Sequence, residues 1–325
     1  MRKKLIIPLI ITIFICSGCK QEPEVLNEFK IENNSSISYI TDNDLSFAKG
    51  FAEDLAVVPA NAANSATSNA VNAESAFLVD ITTNEVLFQK NVHSKVYPAS
   101  TTKCLTSLIA IKYGDTTSTR VVGDEIYFYE DNVVICDFRE GDVVSFDTAL
   151  NGALIKSGND AASVLALFAA DSIEEFAELM NSEAYSLGAT NSHFVNAHGL
   201  YDDNHYTTAY DMYLIFKEAI KSDYLVSVLS AKSYVGTLKR TTPYNTYDIG
   251  CSYTTTNPFF TGVATAPSHV TIIGGKSGYT EVARRSYVLL AEGDNGHQYI
   301  VLVMKDDNYD FMCQDLTYLV SLIPE

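Results

Sequence analysis

A serine and a lysine three residues apart, Ser100 and Lys103, stand just after Pro98 in the run VYPASTTKCLTSLIAIKYG, residues 96–114. On a helix, positions i and i+3 share a face, so the lysine amine can approach the serine hydroxyl. A serine hydroxyl is a weak nucleophile until a base takes its proton. Lysine is that base only when its amine is neutral near pH 7, and burial or a neighbouring cation lowers its pKa in that direction. The helix start also offers free backbone N–H groups to a developing oxyanion. The competing reading is a capping serine followed by a solvated lysine, and an isolated S-x-x-K carries no more than that.

Two further clusters change the balance. KSGND contains Ser157, Gly158 and Asn159, and GGKSGYT contains Lys276, Ser277 and Gly278. S-x-x-K, S-x-N and K-[ST]-G in this order resemble the set found in penicillin-binding proteins and class A β-lactamases. The chemical roles are coherent. Ser157 can pass a proton between Lys103 and a leaving amine. Asn159 can hydrogen-bond a substrate backbone amide. Lys276 supplies a second positive charge that holds Lys103 neutral and orients Ser157. The Ser277 hydroxyl can bind a substrate carboxylate, and Gly278 lets the strand edge approach without a side chain in the way. The N–H of Tyr279 is placed to join that of Ser100 as the second oxyanion donor.

PASTTK, LIKSGNDAA, FVNAHGLYDD, TTAYDM and GGKSGYT, in order within about residues 76–305, resemble the serine D-alanyl-D-alanine carboxypeptidases, the low-molecular-mass penicillin-binding proteins. The resemblance implies catalytic Ser100, Lys103 and Ser157, with Asn159, Lys276, Ser277, Gly278 and Tyr279 binding substrate. It implies removal of the terminal D-alanine from a peptidoglycan stem peptide through an acyl-enzyme on Ser100, inhibition by β-lactams, and no cofactor. A β-lactamase of the same fold would share the acylation step, and an inactive protein that binds stem peptides or β-lactams is a third reading. The sequence departs from the family pattern at Ser277, where threonine is usual, and at Ala283–Arg284–Arg285, where Ala-Gly is frequent. No arginine matches the family's carboxylate-binding residue near the last strand, where Lys305 is the available cation. The chain also stops near the end of the catalytic domain, where many relatives continue into a β-rich domain.

Apolar periodicity shows what must position these clusters. SAFLVDITTNEVLFQKN predicts a hairpin with a turn at Thr82–Asn84, and STTKCLTSLIAIKYG predicts a helix stopped by Gly114. Residues 121–146 predict short strands with a turn at Gly141–Asp142. SFDTALNGALIKSG, DAASVLALFAA, SIEEFAELMNSEAYSLG and TTAYDMYLIFKEAIKS predict helices. Strand-like runs return in HVTIIGGKSGY, RRSYVLLAEG and HQYIVLVMK. Strands, helices, then strands predict an α+β fold. Its antiparallel sheet is built from both chain ends and flanked by helices, with a mostly helical subdomain inserted, as in β-lactamases and transpeptidases.

The rest of the composition sets the setting. MRKK followed by the apolar run Leu5–Ile15 predicts a signal peptide over residues 1–18. CSGCK resembles a lipobox and implies lipidation at Cys19, hence an extracytoplasmic protein anchored to a bacterial membrane, or secreted if it is not lipidated. Residues 19–75 predict a flexible tether, since PANAANSATSNAVNAES offers little bulky apolar surface, and 76–325 predict the catalytic domain. The formal charge of −18 argues against nucleic acid and against docking on anionic lipid. Cys104, Cys136, Cys251 and Cys313 are widely spaced, and Cys104 reads as a small buried apolar residue. His193, His198 and His205 cluster with Asp202 and Asp203, but not at the spacing of helix-borne ligand pairs, so no metal is expected. Glu174, Glu175 and Glu178 read as a solvated helix face.

Overall fold

The computed structural model describes residues 54–130 and 133–325. Strands β1 (Ser75–Asp80) and β2 (Glu85–Lys90) form the expected hairpin. Asp80 Oδ1 accepts from the N–H of Thr82 and Thr83, and Asn84 takes the left-handed position (φ 61°) that asparagine tolerates. A 3₁₀ turn, Ala99–Thr102, leads into helix α1 (Lys103–Tyr113). Short strands β3 (Thr119–Val121) and β4 (Val143–Ser145) follow. Helix α2 (Phe146–Asn151) continues through a wider turn, Gly152–Lys156, into α3 (Asn159–Ala166). Helices α4 (Ile173–Ser186), α5 (Ala209–Ala219) and α6 (Asp223–Leu229) complete the helical insert. The chain then forms a hairpin of β5 (Ser233–Thr241) and β6 (Thr246–Thr254), and returns to the main sheet as β7 (Val270–Thr280), β8 (Arg284–Gly293) and β9 (Gln298–Asp306). Helix α7 (Tyr309–Val320) closes it.

The main sheet has the order β2-β1-β9-β8-β7 and is antiparallel throughout, so it joins both chain ends as expected. Alternation sorts its side chains. Phe77, Val79, Val288, Leu290, Ile300 and Leu302 join the core that holds α1 and α5. Leu78, Tyr287, Leu289, Tyr299, Val301 and Val303 pack on Met312, Leu316, Leu319 and Val320 of α7. Both faces are covered, which is why β1 is buried along its whole length and reads as a continuous apolar run. β7 forms one edge of this sheet, beside the turn that carries Ser100.

A second sheet, β3-β4-β5-β6, covers the helical insert. Its β5 is pinned by Arg240, whose Nε and Nη2 donate to Asp142 at 2.9 and 2.7 Å, both side chains being nearly buried. Removing one partner of such a pair costs about 3–5 kcal/mol.

The folded region starts earlier than the expected boundary at Ala76. Residues 54–74 lie along the domain: Ala56, Val58, Val71 and Ala73 are buried. Ala56 N–H donates to the Tyr213 hydroxyl, and the N–H groups of Asn72 and Ala73 donate to Asp315. Asn64 and Ser65 bond the backbone of Asn91 and Gln89. Single small apolar anchors and side-chain-to-backbone bonds hold this segment without the bulky residues whose lack predicts a tether. The expected signal peptide and Cys19 lie outside the described residues. Among the described residues no helix is long and apolar enough to cross a membrane.

Candidate active site

The 3₁₀ turn before α1 sets the position of Ser100. Ala99 is held at φ 48°, and Thr101 donates to Pro98 O through both N–H and hydroxyl. A non-glycine residue at positive φ costs about 1–2 kcal/mol, so the surrounding packing must impose it. Gly199 does so: a Cβ there would lie 1.9 Å from Ala99 O. The Asn196 side chain accepts from Gly199 N–H at 2.7 Å and fixes that backbone. This is what the FVNAHGL segment contributes. His205 stands behind it: its Nδ1 accepts from Val195 N–H, so Nε2–H donates to Thr102 Oγ1 at 2.9 Å. Burial pushes its pKa down to about 3. The imidazole is therefore neutral and serves as a strut between the loop and the turn.

Lys103 is fully buried at the first position of α1. Its Nζ lies 2.8 Å from Ser100 Oγ, 2.7 Å from Asn159 Oδ1 and 2.7 Å from His198 O. Burial first, and the Lys276 charge second, hold its pKa well below the ordinary lysine range. A neutral amine has two hydrogens and one lone pair. Asn159 Oδ1 and His198 O are both acceptors and take the two hydrogens. The lone pair is left facing the Ser100 hydroxyl, which is the orientation a general base needs.

Lys276 is also buried, and its pKa is lowered by burial to about 8, so it stays charged near pH 7. It donates to Ser157 Oγ at 2.8 Å and to Ser277 O at 2.7 Å. Ser157 itself is held at φ 66°. The turn carrying it is tied down by Asp160, whose carboxylate accepts from the N–H of Cys136, Phe138 and Ala161. Gly158 passes so close to Cys136 that a Cβ would lie 2.5 Å from its Sγ. A Cβ on Gly278 would lie 2.9 Å from Pro98 O and 3.1 Å from Ser100 N, so the glycine lets the β7 edge lie against the turn before α1. The β7 edge thus passes directly against Ser100, with Tyr279 next along it.

Ser100, Ser157, Asn159, Ser277, Gly278 and Tyr279 all line one open cleft of about 1290 Å³, while Lys103 and Lys276 are buried and reach it through their hydrogen-bond partners. Asn159 differs in detail from expectation: its Oδ1 serves Lys103, which leaves only its amide N–H groups for a substrate. Lys305 does not reach the cleft, because its Nζ pairs with Glu74 at 2.5 Å. Thr256 and Arg285 are among the lining residues without an expected role. Thr256 Oγ1 lies 2.9 Å from Ser277 Oγ, and Arg285 stacks its guanidinium 3.9 Å from the centre of the Tyr279 ring. Neither belongs to a local motif; strand pairing brings Arg285 opposite Tyr279.

The family model described as D-alanyl-D-alanine carboxypeptidase matches residues 61–308. The D-alanyl-D-alanine carboxypeptidase DacF of Bacillus subtilis is 31% identical over 239 residues, which cover 71% of this chain and 57% of DacF. DacA of Escherichia coli is 35% identical over 160 residues, 46% of this chain and 40% of DacA. The chain thus spans about half the length of the curated relatives it matches. The crystal structure of the Streptomyces K15 DD-transpeptidase superposes with a TM-score of 0.69 at 22% identity, over 78% of this chain and 97% of that one. That likeness carries the fold.

Proposed function

The chain belongs to the D-alanyl-D-alanine carboxypeptidase family, and we propose that it is a serine carboxypeptidase that removes the terminal D-alanine of peptidoglycan stem peptides. The observation that carries this is the Lys103 amine, buried, held well below the ordinary lysine pKa range and placed by two acceptors at 2.8 Å from Ser100 Oγ. Lys103 takes the Ser100 proton as Oγ attacks the carbonyl of the penultimate D-alanine. The N–H groups of Ser100 and Tyr279 stabilise the oxyanion. Ser157, whose oxygen accepts from Lys276, donates its hydroxyl proton to the departing amine and takes the Ser100 proton back from Lys103, which is neutral again for the second step. D-alanine leaves, and water, activated by the same lysine, hydrolyses the ester and restores the Ser100 hydroxyl. A β-lactam acylates Ser100 by the same first step.

The test is D-alanine release from diacetyl-L-lysyl-D-alanyl-D-alanine, together with intact mass after exposure to benzylpenicillin. We expect release, and a persistent adduct absent from the Ser100→Ala protein. An adduct that disappears as the drug is hydrolysed would favour a β-lactamase. Release by Ser100→Ala protein would end the assignment, and an adduct without turnover of peptide would leave a binding protein.

We further infer an extracytoplasmic setting, with a signal peptide over residues 1–18 and a lipid on Cys19. The basic start, the short apolar run and the Gly18–Cys19 junction support it. Cys19→Ser protein should lose incorporation of labelled fatty acid and leave the membrane fraction.

A further inference from the structure

Behind the turn that carries Ser157 lies a second group of reactive side chains, which the proposed reaction does not use. Cys136 sits under the two glycines that flank this turn. Its Sγ is 2.9 Å from where a Cβ of Gly152 would stand and 2.5 Å from that of Gly158. The Tyr253 ring closes the same space, with Cε2 3.5 Å from the Gly152 position. Cys251 is two residues before Tyr253 on β6, and alternation puts both on the face that packs on the helical insert. The Tyr253 hydroxyl is buried and makes no well-formed hydrogen bond; the thiols of Cys136 and Cys251 are the groups it faces. The other two thiols are elsewhere: Cys104 lies against the buried lysines, and Cys313 on the α7 side of the main sheet.

The two thiols differ in access. Cys251 is half-buried on β6, the edge strand of the second sheet, whereas Cys136 is buried. Burial, and then the Asp160 carboxylate, push the Cys136 thiol up, so it stays protonated and resists direct oxidation. An oxidant therefore meets Cys251 first. The segment around Cys136 is also tied to the catalytic turn. The N–H groups of Cys136 and Phe138 donate to Asp160, and Asn159 N–H donates to Val134 O at 2.8 Å. A pull on Cys136 is passed on to Ser157 and Asn159.

We propose that Cys136 and Cys251 form a disulfide on exposure to peroxides, and that this bond slows acylation of Ser100 by displacing the Ser157 turn. The Cys251 sulfur attacks one peroxide oxygen, the O–O bond breaks, and the thiol proton leaves with the other oxygen as water. Cys251 is then a sulfenic acid. The Cys136 sulfur attacks the sulfenic sulfur: the S–S bond forms, the S–O bond breaks, and the hydroxyl leaves with the Cys136 proton as a second water. The peroxide gains the two electrons that the thiol pair loses. Strand β6 is paired on one side only and Cys136 lies in a loop, so the two can close to the Cα separation of about 4.4–6.8 Å that the bond requires.

The experiment treats full-length protein with hydrogen peroxide and reads intact mass, a peptide map and the rate of Ser100 acylation by benzylpenicillin. The expected result is a loss of two hydrogens that maps to a Cys136–Cys251 link, with acylation about 10- to 100-fold slower, the usual scale for a catalytic group moved by about 1 Å. Dithiothreitol should reverse both. Cys251→Ser protein should keep its rate before and after peroxide, which separates this bond from oxidation of Met312 at the cleft wall. No change of mass in the wild type overturns the disulfide, as does an oxygen retained on Cys251 or a link to another cysteine. A Cys136–Cys251 bond with an unchanged rate overturns its hold on the Ser157 turn, as does an equal loss of rate in Cys251→Ser protein. The mass and the map do not depend on the carboxypeptidase reading. Reduced protein that benzylpenicillin does not acylate overturns that reading, and with it the effect on rate, but not the bond.

Discussion

A lysine can act as a base only where its charged form is penalised more than its neutral form, and two buried lysines near one cleft share that penalty unequally. Lys103 is shifted well down by burial and by Lys276, whereas Lys276 is shifted only to about 8. The base must be deprotonated, so acylation is fully present above the Lys103 pKa and lost as pH falls through it. The cation must be protonated, so acylation is lost again as pH rises through about 8. The expected profile of kcat/KM is a bell whose acid limb follows Lys103, well below the ordinary lysine range, and whose alkaline limb lies near pH 8. Lys276→Arg protein keeps the charge to far higher pH and should lose the alkaline limb while keeping the acid one. A wild-type profile rising steadily to pH 10 would remove Lys276 from this role. At this scale much was legible, because S-x-x-K, S-G-N and K-S-G are local patterns. Arg285 and Thr256 were not: each is adjacent to Tyr279 or Ser277 only through strand pairing or a loop, which spacing along the chain does not reveal. Lys305 shows the converse, a cation at a suggestive sequence position that the fold pairs with Glu74.

The site depends on backbones that approach closely, so the elements carry specific demands at single residues. Gly199 lies against Ala99 O with no room for a Cβ and has φ 88°. Gly199→Ala must move either the FVNAHGL loop or the turn before α1. We expect a loss of about 1–3 kcal/mol in stability, and a drop in acylation rate that persists at temperatures where the variant is fully folded. An unchanged rate of Ser100 acylation by benzylpenicillin would show that the turn is not set by this contact. Arg284 presents the opposite case. It is exposed at φ 57°, at the first position of β8, where the sequence departs from a frequent Ala-Gly. Relief of left-handed strain is worth about 1–2 kcal/mol, and the added freedom of a glycine in the unfolded chain offsets about 0.4–1 of it. Arg284→Gly should therefore raise stability by about 0.5–1 kcal/mol in denaturant unfolding. A destabilised variant would mean that the arginine side chain is held by contacts stronger than the strain. The hairpin β1–β2, helices α1 to α5 and strands β7 to β9 follow from periodicity. The short helix α6 and the helix α7 formed where no element was expected. α6 spans seven residues, too few for a period to stand out, and α7 follows the polar run Asp306-Asp307-Asn308, which reads as the end of a strand.

Over the whole molecule, the point where most parts meet is a pair of buried carboxylates. Asp306 ends β9, opposite Arg285 on β8, and Asp315 lies on α7. Asp315 accepts from Asn72 N–H, Asn72 Nδ2 and Ala73 N–H, which ties residues 54–74 to the body of the domain. No side-chain donor meets the fully buried Asp306, which has only the backbone N–H of Asp307, so as an anion it would be poorly compensated and beside a second negative charge. Burial first, and then Asp315, push its pKa up to about 8, and the retained proton lets it donate to Asp315. A raised folded pKa favours folding wherever the group is protonated in the native state. The stabilisation is fully present below the unfolded value of 3.8 and is lost as pH rises through about 8. Across that window Asp307 is the other charge acting on Asp306, and Cys313, which feels Asp306, also feels Asp310 and Arg285. The expected outcome is a melting temperature that falls progressively from about pH 4 to about pH 8 and levels off above it, by about 2–4 °C for each kcal/mol lost. Asp306→Asn keeps a donor for Asp315 at every pH and should flatten this fall. It should also protect the backbone N–H of Asn72 and Ala73 from hydrogen exchange at pH 9, where the wild type opens. A melting temperature with the same slope in both proteins would show that the pair is ionised throughout, and that the N-terminal segment is held by its apolar anchors alone.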